Sequence, residues 1–444
     1  MPGSPIDCED RLGRAVRMYT AENGVSGHHE SPCLLLHTAP SGNVREIQMN
    51  QRMPKIRHTE KNLPLKIDSL ELEDYSTTIN DSTYTFGIYR NFQTEETPQE
   101  IKFLNDCYGV QYDLDQYGFE IPSHSSPILP GDVSFREETR MFLQNDSDER
   151  EQWYKRELEG FEKSLRESIG LEAKSYLRDC IIQTRFKLLP FHYRRNNIPP
   201  PYSSFIRFTL TEEEQEDLKR VEHYSYNIKL FEAVKELNRI LFDGRCLIRV
   251  NKFSKKLNGT VFRLPIGLKF SVNRITVPSE YVSRVASILD VTNGSLKELE
   301  LCYPSRRFDK LQNDVMMNAE RLHFPELDNY DVLHTTLEKL PKKNIKIGFG
   351  STPTSEDYYE FIHIWMATKR EIGSSCLFGL EDEEMGNSVL RLVRARNVIT
   401  EQTERCITII RGDLKRYTIC VKENGTPENK WFRSFLEVSF VGVS

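Results

Sequence analysis

Five strand-like cores return at a nearly even interval in the second half of this 444-residue chain, and that recurrence limits its fold more than any other feature. They are VNRITV from Val272, LKELEL from Leu296, AERLHF from Ala319, NIKIGF from Asn344 and CLFGL from Cys376. Their starts lie 24, 23, 25 and 32 residues apart. Helix-patterned spans separate several of them, at Ser279–Asp290, Tyr330–Leu340, Glu356–Lys369 and Glu381–Arg394. A strand–helix unit every 20–29 residues cannot bury its own apolar face, so neighbours must stack and bury it jointly. The expectation is an α/β (α+β) chain in which residues 268–402 form a leucine-rich-repeat-like βα solenoid. The N/C-x-L step of a true leucine-rich repeat is not visible. An ordinary βαβ parallel sheet is the competing architecture.

The flanks carry other patterns. Residues 1–48 are rich in Gly, Ser and Pro and lack lasting apolar periodicity, so a mostly disordered head is expected. Residues 63–140 read as a β-rich unit. LPLKIDSLELEDY and TINDSTYTFGIYRNF form a hairpin about Asn80-Asp81, with further strands near Glu100–Phe103 and Tyr117–Ile121. Within 146–265, Ser147 is placed to cap an amphipathic helix carrying Tyr154, Leu158, Phe161 and Leu165, with Gly170 at its end. FHYRRNNIPPPYSSF then reads as a linker into a strand at Phe205–Leu210. A helix over Asn227–Phe242 and strands at Cys246–Val250 and Val261–Leu264 follow. The tail, 403–444, holds three β patterns separated by turn signals, expected as an antiparallel cap over the last repeat.

Composition and motifs exclude several functions. With 60 Lys+Arg against 66 Asp+Glu, the net charge of −6 leaves no electrostatic footprint for nucleic acid. Mean hydropathy is −0.54 and no run approaches the roughly 18 apolar residues of a membrane span, so neither nucleic acid nor a membrane is an expected partner. The N-terminus lacks a charged segment followed by an apolar stretch, which points to a cytoplasmic or nuclear location. Nine scattered cysteines include no CxxC pair. Reduced, buried thiols are expected, with neither a disulfide framework nor a zinc site, Cys406 and Cys420 among them in apolar runs. No phosphate-binding loop, nucleophile elbow or HExxH motif occurs, and Gly348-Phe349-Gly350-Ser351 reads as a βα turn. The residues therefore indicate a non-catalytic binding protein. No catalytic residue, cofactor or metal ligand is assigned.

If the repeats carry the binding function, the partner surface lies on their strands. Alternation of side chains between faces nominates Asn273, Lys297, Glu320, Asn344 and Lys346 to stand opposite buried Ile275, Leu299, Leu322, Ile345 and Ile347.

Several longer stretches resemble a known family. RMPKIRHTEKNLPLKIDSLELEDYSTTIND, YTFGIYRNF, VQYDLDQYGFEIP, ILPGDVSFRE, YRRNNIPPPYSSFIRFTL, LFDGRCLIRVNKFSKK and RLPIGLKFSVNRITV are similar, in order, to the nematode F-box C family, whose members carry a domain of unknown function after the F-box. The resemblance implies a substrate adaptor of a Skp1-cullin-F-box ubiquitin ligase, with the F-box on a Skp1-like adaptor and the C-terminal domain on an unnamed protein target. The post-F-box segment survives at 49–62, as Arg52 through Lys61, whereas the head before it shows no helix pair, so the F-box itself is degenerate or missing. The alternatives are a stand-alone interaction module that has lost Skp1 coupling and, more remotely, an enzyme of unknown class.

Overall fold

The computed structural model describes residues 61–92, 97–136, 146–168, 170–212, 215–255, 260–290, 296–302, 314–327, 330, 333–334, 337, 344–411, 415–423 and 434–443. The expected disordered head and nearly all of the 49–62 segment lie outside these residues, as does most of the Tyr330–Leu340 span. By contact density the chain separates into two units. The first draws on 81–127 and 137–241, the second on 62–80, 128–136 and 242–444. The span 63–140 thus contributes to both.

In the first unit, strands β3 (Ser82–Phe92), β7 (Tyr202–Glu212) and β8 (Gln215–Ser225) pair antiparallel in that order. Two expectations are corrected here. Glu100–Phe103 is not a strand but part of a helix, Gln99–Cys107. Pro98 before it and Gly109 after it, whose φ is +73° and whose N–H reaches the Leu104 carbonyl at 2.8 Å, are helix punctuation that outweighs a four-residue alternation. Nor is FHYRRNN a linker, because the helix Leu171–Asn196 runs through it with Pro190 inside. Asn197 ends that helix in the left-handed region. The N–H of Ile198 returns to the Tyr193 carbonyl at 3.0 Å, and the chain leaves on Pro199–Pro201.

The preceding helix, Asp148–Glu167, is capped by Ser147 as expected. Gly170 caps the next helix rather than ending this one. The two helices meet through Arg195 on Glu151 at 2.5 and 2.7 Å and Arg185 on Glu162 at 2.7 Å. A small core of Phe119, Tyr154 and Phe191 lies beneath.

In the second unit the strands lie in the order β16-β17-β18-β19-β15-β14-β13-β12-β11-β9-β1-β2. In chain order these are β1 (Leu65–Leu72), β2 (Ser76–Ile79), β9 (Ile248–Ser254), β11 (Phe270–Pro278), β12 (Glu298–Cys302), β13 (Arg321–Leu327), β14 (Asn344–Phe349), β15 (Ser375–Leu380), β16 (Ile399–Gln402), β17 (Cys406–Arg411), β18 (Lys415–Glu423) and β19 (Ser434–Val443). The strands built on the five recurring cores, β11 to β15, are parallel and adjacent in chain order. At β19 the sheet turns antiparallel, and the tail strands extend it edge to edge. The result is a mixed α/β architecture with a large mixed sheet that does not close among the described residues.

One apolar row crosses this sheet from strand to strand. Leu70, Phe253, Ile275, Leu299, Leu322, Ile345, Cys376 and Val438 are register partners in series, and all are buried. The helix Ser355–Ala367 is tied to the sheet by the Tyr358 hydroxyl, which donates to the Gly379 carbonyl at 2.6 Å. The Tyr417 hydroxyl donates back to the Met366 carbonyl at 3.2 Å. Arg370 closes the end of that helix, donating to the carbonyls of Trp365 and Leu337. The helix Glu383–Arg396 comes closer still, because Gly386 rests against Val421 and Leu380 where a Cβ would collide with both.

Thr354 and Asp357 form a reciprocal capping box, with Asp357 N–H on the Thr354 hydroxyl at 3.2 Å and Thr354 N–H on the Asp357 carboxylate at 2.8 Å. Thr354→Ala is expected to cost about 1 kcal/mol, read as a lower denaturant midpoint at unchanged slope.

The thiol expectation is corrected at one pair. Cys406 and Cys420 face each other across β17 and β18 and are joined by a disulfide. A spacing of 14 residues carries no such signal; the hairpin register brings the two together.

Polar groups are buried in the second unit around β6 (Val133–Ser134) and β10 (Val261–Phe262), which pair antiparallel. Asp74 accepts the N–H groups of Thr260 and Val261 at 2.5 and 2.8 Å. Arg263 and Asp132 form an ion pair at 2.6 Å, with side chains 2% and 0% exposed. Lys255 is also buried, with its ammonium over the rings of Phe135 at 4.6 Å, Tyr281 at 4.9 Å and Phe262 at 5.7 Å.

Candidate functional site

Opposite the buried row, β9 and β11 to β15 present two polar rows. In the first, Lys252, Arg274, Glu298, Arg321 and Asn344 are register partners in series. In the second, the series is Ser254, Thr276, Glu300, His323, Lys346, Leu377 and Glu437. Parallel strands lie about 4.8 Å apart, so side chains on neighbouring strands are held at contact spacing by the backbone rather than by their own flexible stems.

The rows are internally bonded. Arg321 Nη1 lies 3.2 Å from Glu298 Oε2. His323 Nδ1 lies 2.9 Å from Glu300 Oε2 and 3.9 Å from Glu298 Oε1. Lys346 sets its ammonium 4.7 Å over the Phe435 ring, and Lys422 pairs with Glu437. Asn344 Oδ1 accepts from the Ser375 N–H at 3.2 Å and its hydroxyl at 3.0 Å. Burial pushes the Glu300 carboxyl up, but the hydrogen bond and charge of His323, with Lys252 and Thr276, outweigh it and leave the group below its ordinary value. Burial, reinforced by Glu300, pushes the neighbouring Cys302 thiol up to about 12.

The five residues nominated by alternation separate into two groups. Asn344 and Lys346 alternate with buried Ile345 and Ile347 and stand on the polar face as expected. Asn273, Lys297 and Glu320 are exposed, but not by alternation, since each lies two residues before Ile275, Leu299 or Leu322 and shares its parity. In β11 both Asn273 and Arg274 are exposed, a local break in alternation that β9 repeats at Asn251 and Lys252. The two asparagines are linked there, Asn273 Nδ2 to Asn251 Oδ1 at 3.3 Å. Lys297 and Glu320 precede β12 and β13, where their N–H groups bond back to the Asn273 and Leu296 carbonyls at 2.8 Å each. They form a rim to the face, not the face itself.

Its centre is Arg274, Glu298, Glu300, Arg321 and His323, none of which the strand-face argument nominated. The signal is present in ELEL, where Glu298 and Glu300 alternate with Leu299 and Leu301, and in Arg321-Leu322-His323.

A family model described as a domain of unknown function (DUF3557) matches residues 229–382, a span that includes β9 and β11 to β15. Among curated proteins and among solved structures, no match to the chain is found. No helix among the described residues is long and apolar enough to cross a membrane.

Proposed function

We propose that this chain is a non-catalytic protein-interaction protein that captures a protein target on the polar face of β9 and β11 to β15. What supports the reading is the pair of in-register polar rows, from Lys252 to Asn344 and from Ser254 to Glu437. A backbone-spaced array of both charge signs recognises the complementary pattern of a protein surface, and its length suits an extended partner better than a small molecule. We read the strand–helix units behind it as leucine-rich-repeat-like, with the tail strands as their cap.

The resemblance to the F-box C family puts the same surface in the role of a ubiquitin-ligase substrate adaptor. The alternative within this reading is an interaction module without Skp1 coupling. Affinity capture with the full chain, scored for Skp1-like and cullin peptides, separates the two. Both peptides are expected in the eluate if the chain is an adaptor. A target retained without either one assigns the stand-alone module.

A further inference from the structure

We propose that Glu298, Glu300 and His323 form a binding site for a divalent transition-metal ion of the zinc class. The carboxylates of Glu298 and Glu300 project from one face of β12 because they are two residues apart, and His323 is the register partner of Glu300 on β13. One ligand atom from each of the three lies within 4.8 Å of the others. His323 Nδ1 stands 2.9 Å from one carboxylate oxygen and 3.9 Å from the other. Donors bound at about 2.0–2.2 Å around one ion sit roughly 3–4 Å from each other, so the two separations from His323 fit a shared ion.

The imidazole is fixed by its burial. His323 is 8% exposed, and its Nε2 is buried without a hydrogen-bond partner. Nδ1 is the ring nitrogen turned to both carboxylates and would take the ion, while Nε2, on the other side of the ring, points away from them. Strand register and packing hold the ring in place, so little ordering remains to be done when an ion arrives. A further donor is close by, with Cys302 Sγ 3.9 Å from Glu300 Oε1 on the same face of the same strand.

The surrounding charges decide which ion. Arg321 is paired with Glu298, and Lys252 acts on Glu300, so the two carboxylates are already balanced by cations. A hard ion held by charge alone gains little there. An ion that bonds to imidazole nitrogen and to sulfur gains from the donors themselves, which favours zinc, cobalt or nickel over calcium or magnesium. Arg321 is half exposed and can withdraw into solvent when Glu298 turns to the ion.

The site does not depend on partner capture, so either idea can fail alone. The test is titration of the full chain with Zn2+ by calorimetry and with Co2+ by visible absorption, each compared with Glu300→Gln and His323→Gln. Zinc held by cysteines or histidines elsewhere contributes equally to all three proteins, so the difference isolates this site. At least a tenfold loss of affinity for one equivalent is expected in each variant. Loss of a tetrahedral cobalt band should accompany it, and millimolar Mg2+ or Ca2+ should not compete. Should His323→Gln melt early, Glu298→Gln and Glu300→Gln, both on partly exposed side chains, decide instead. Zinc and cobalt binding unchanged within twofold in the folded variants, or equal competition by Ca2+, overturns the proposal.

Discussion

Arg263→Met is expected to destabilise the second unit by on the order of 3 kcal/mol or more, the largest effect of any single substitution argued from this structure. The guanidinium and the Asp132 carboxylate are almost fully withdrawn from water at 2.6 Å. Removing only the cation leaves a buried carboxylate without its closest counter-charge. Arg136 lies near, where burial and the Arg263 charge together lower its own pKa, so it relieves part of the loss without replacing the 2.6 Å contact. Asp132 also accepts the Leu129 N–H at 2.8 Å, so the double variant Arg263→Met/Asp132→Leu should recover much of the loss but not all of it. Chemical denaturation of the three proteins provides the measurement. A single variant within 1 kcal/mol of the parent would mean that water reaches this pair.

Lys255 gives the second large effect, through pH. Burial among Phe135, Tyr281 and Phe262 lowers its pKa to about 8, against the opposing pull of Asp74, Glu280 and Glu73. In the unfolded chain the same amine titrates near about 10.4. Between those values the unfolded state holds more protons, so stability rises with pH across that window and is flat below it. Allowing for solvent screening, the gain is on the order of 2 kcal/mol. Buried tyrosines act in the opposite direction at higher pH. Tyr84, raised to about 12 by burial and Glu212, stays protonated in the fold while its unfolded counterpart ionises, so stability falls above about pH 10. Comparing Lys255→Met with the parent from pH 7 to 10 isolates the lysine. The parent's midpoint should climb and the variant's should not, whereas parallel curves would show that the amine keeps its charge in the fold.

What could be read in the sequence followed the physics of each signal. The recurring cores were legible because a strand buried on one face must repeat its apolar residues, and Ile275, Leu299, Leu322 and Ile345 do so in register. The Ser147 cap was legible because capping is local chemistry. The helix through Phe191 and Arg195 was not. Pro190 marks a break in isolation, and only the tertiary contacts of Arg195 with Glu151 and of Phe191 with Phe119 show why the helix continues. The disulfide and the cluster of Glu298, Glu300 and His323 were hidden for a related reason. Both are made across strands, and register is a property of the sheet that no spacing along the chain encodes. Asn273 is exposed although alternation alone places it with the core, because β9 and β11 break their period at the same level, whereas Lys297 and Glu320 are exposed just ahead of β12 and β13, before the strand alternation begins.

The proposed function rests on the polar face of β9 and β11 to β15 being the surface that captures a target. Charge reversal at Arg274, Arg321 and Lys346, as Arg274→Glu/Arg321→Glu/Lys346→Glu, changes the face while leaving the buried row intact. Each lost surface pairing should cost at most about 1 kcal/mol, so the variant should still fold. The direct measurement is quantitative affinity capture by the full chain and by this variant, with melting curves of both. Targets held by the parent should fall at least tenfold with the variant while its unfolding stays cooperative. An unaltered capture profile from a folded variant would contradict the account and place binding on another surface of the chain.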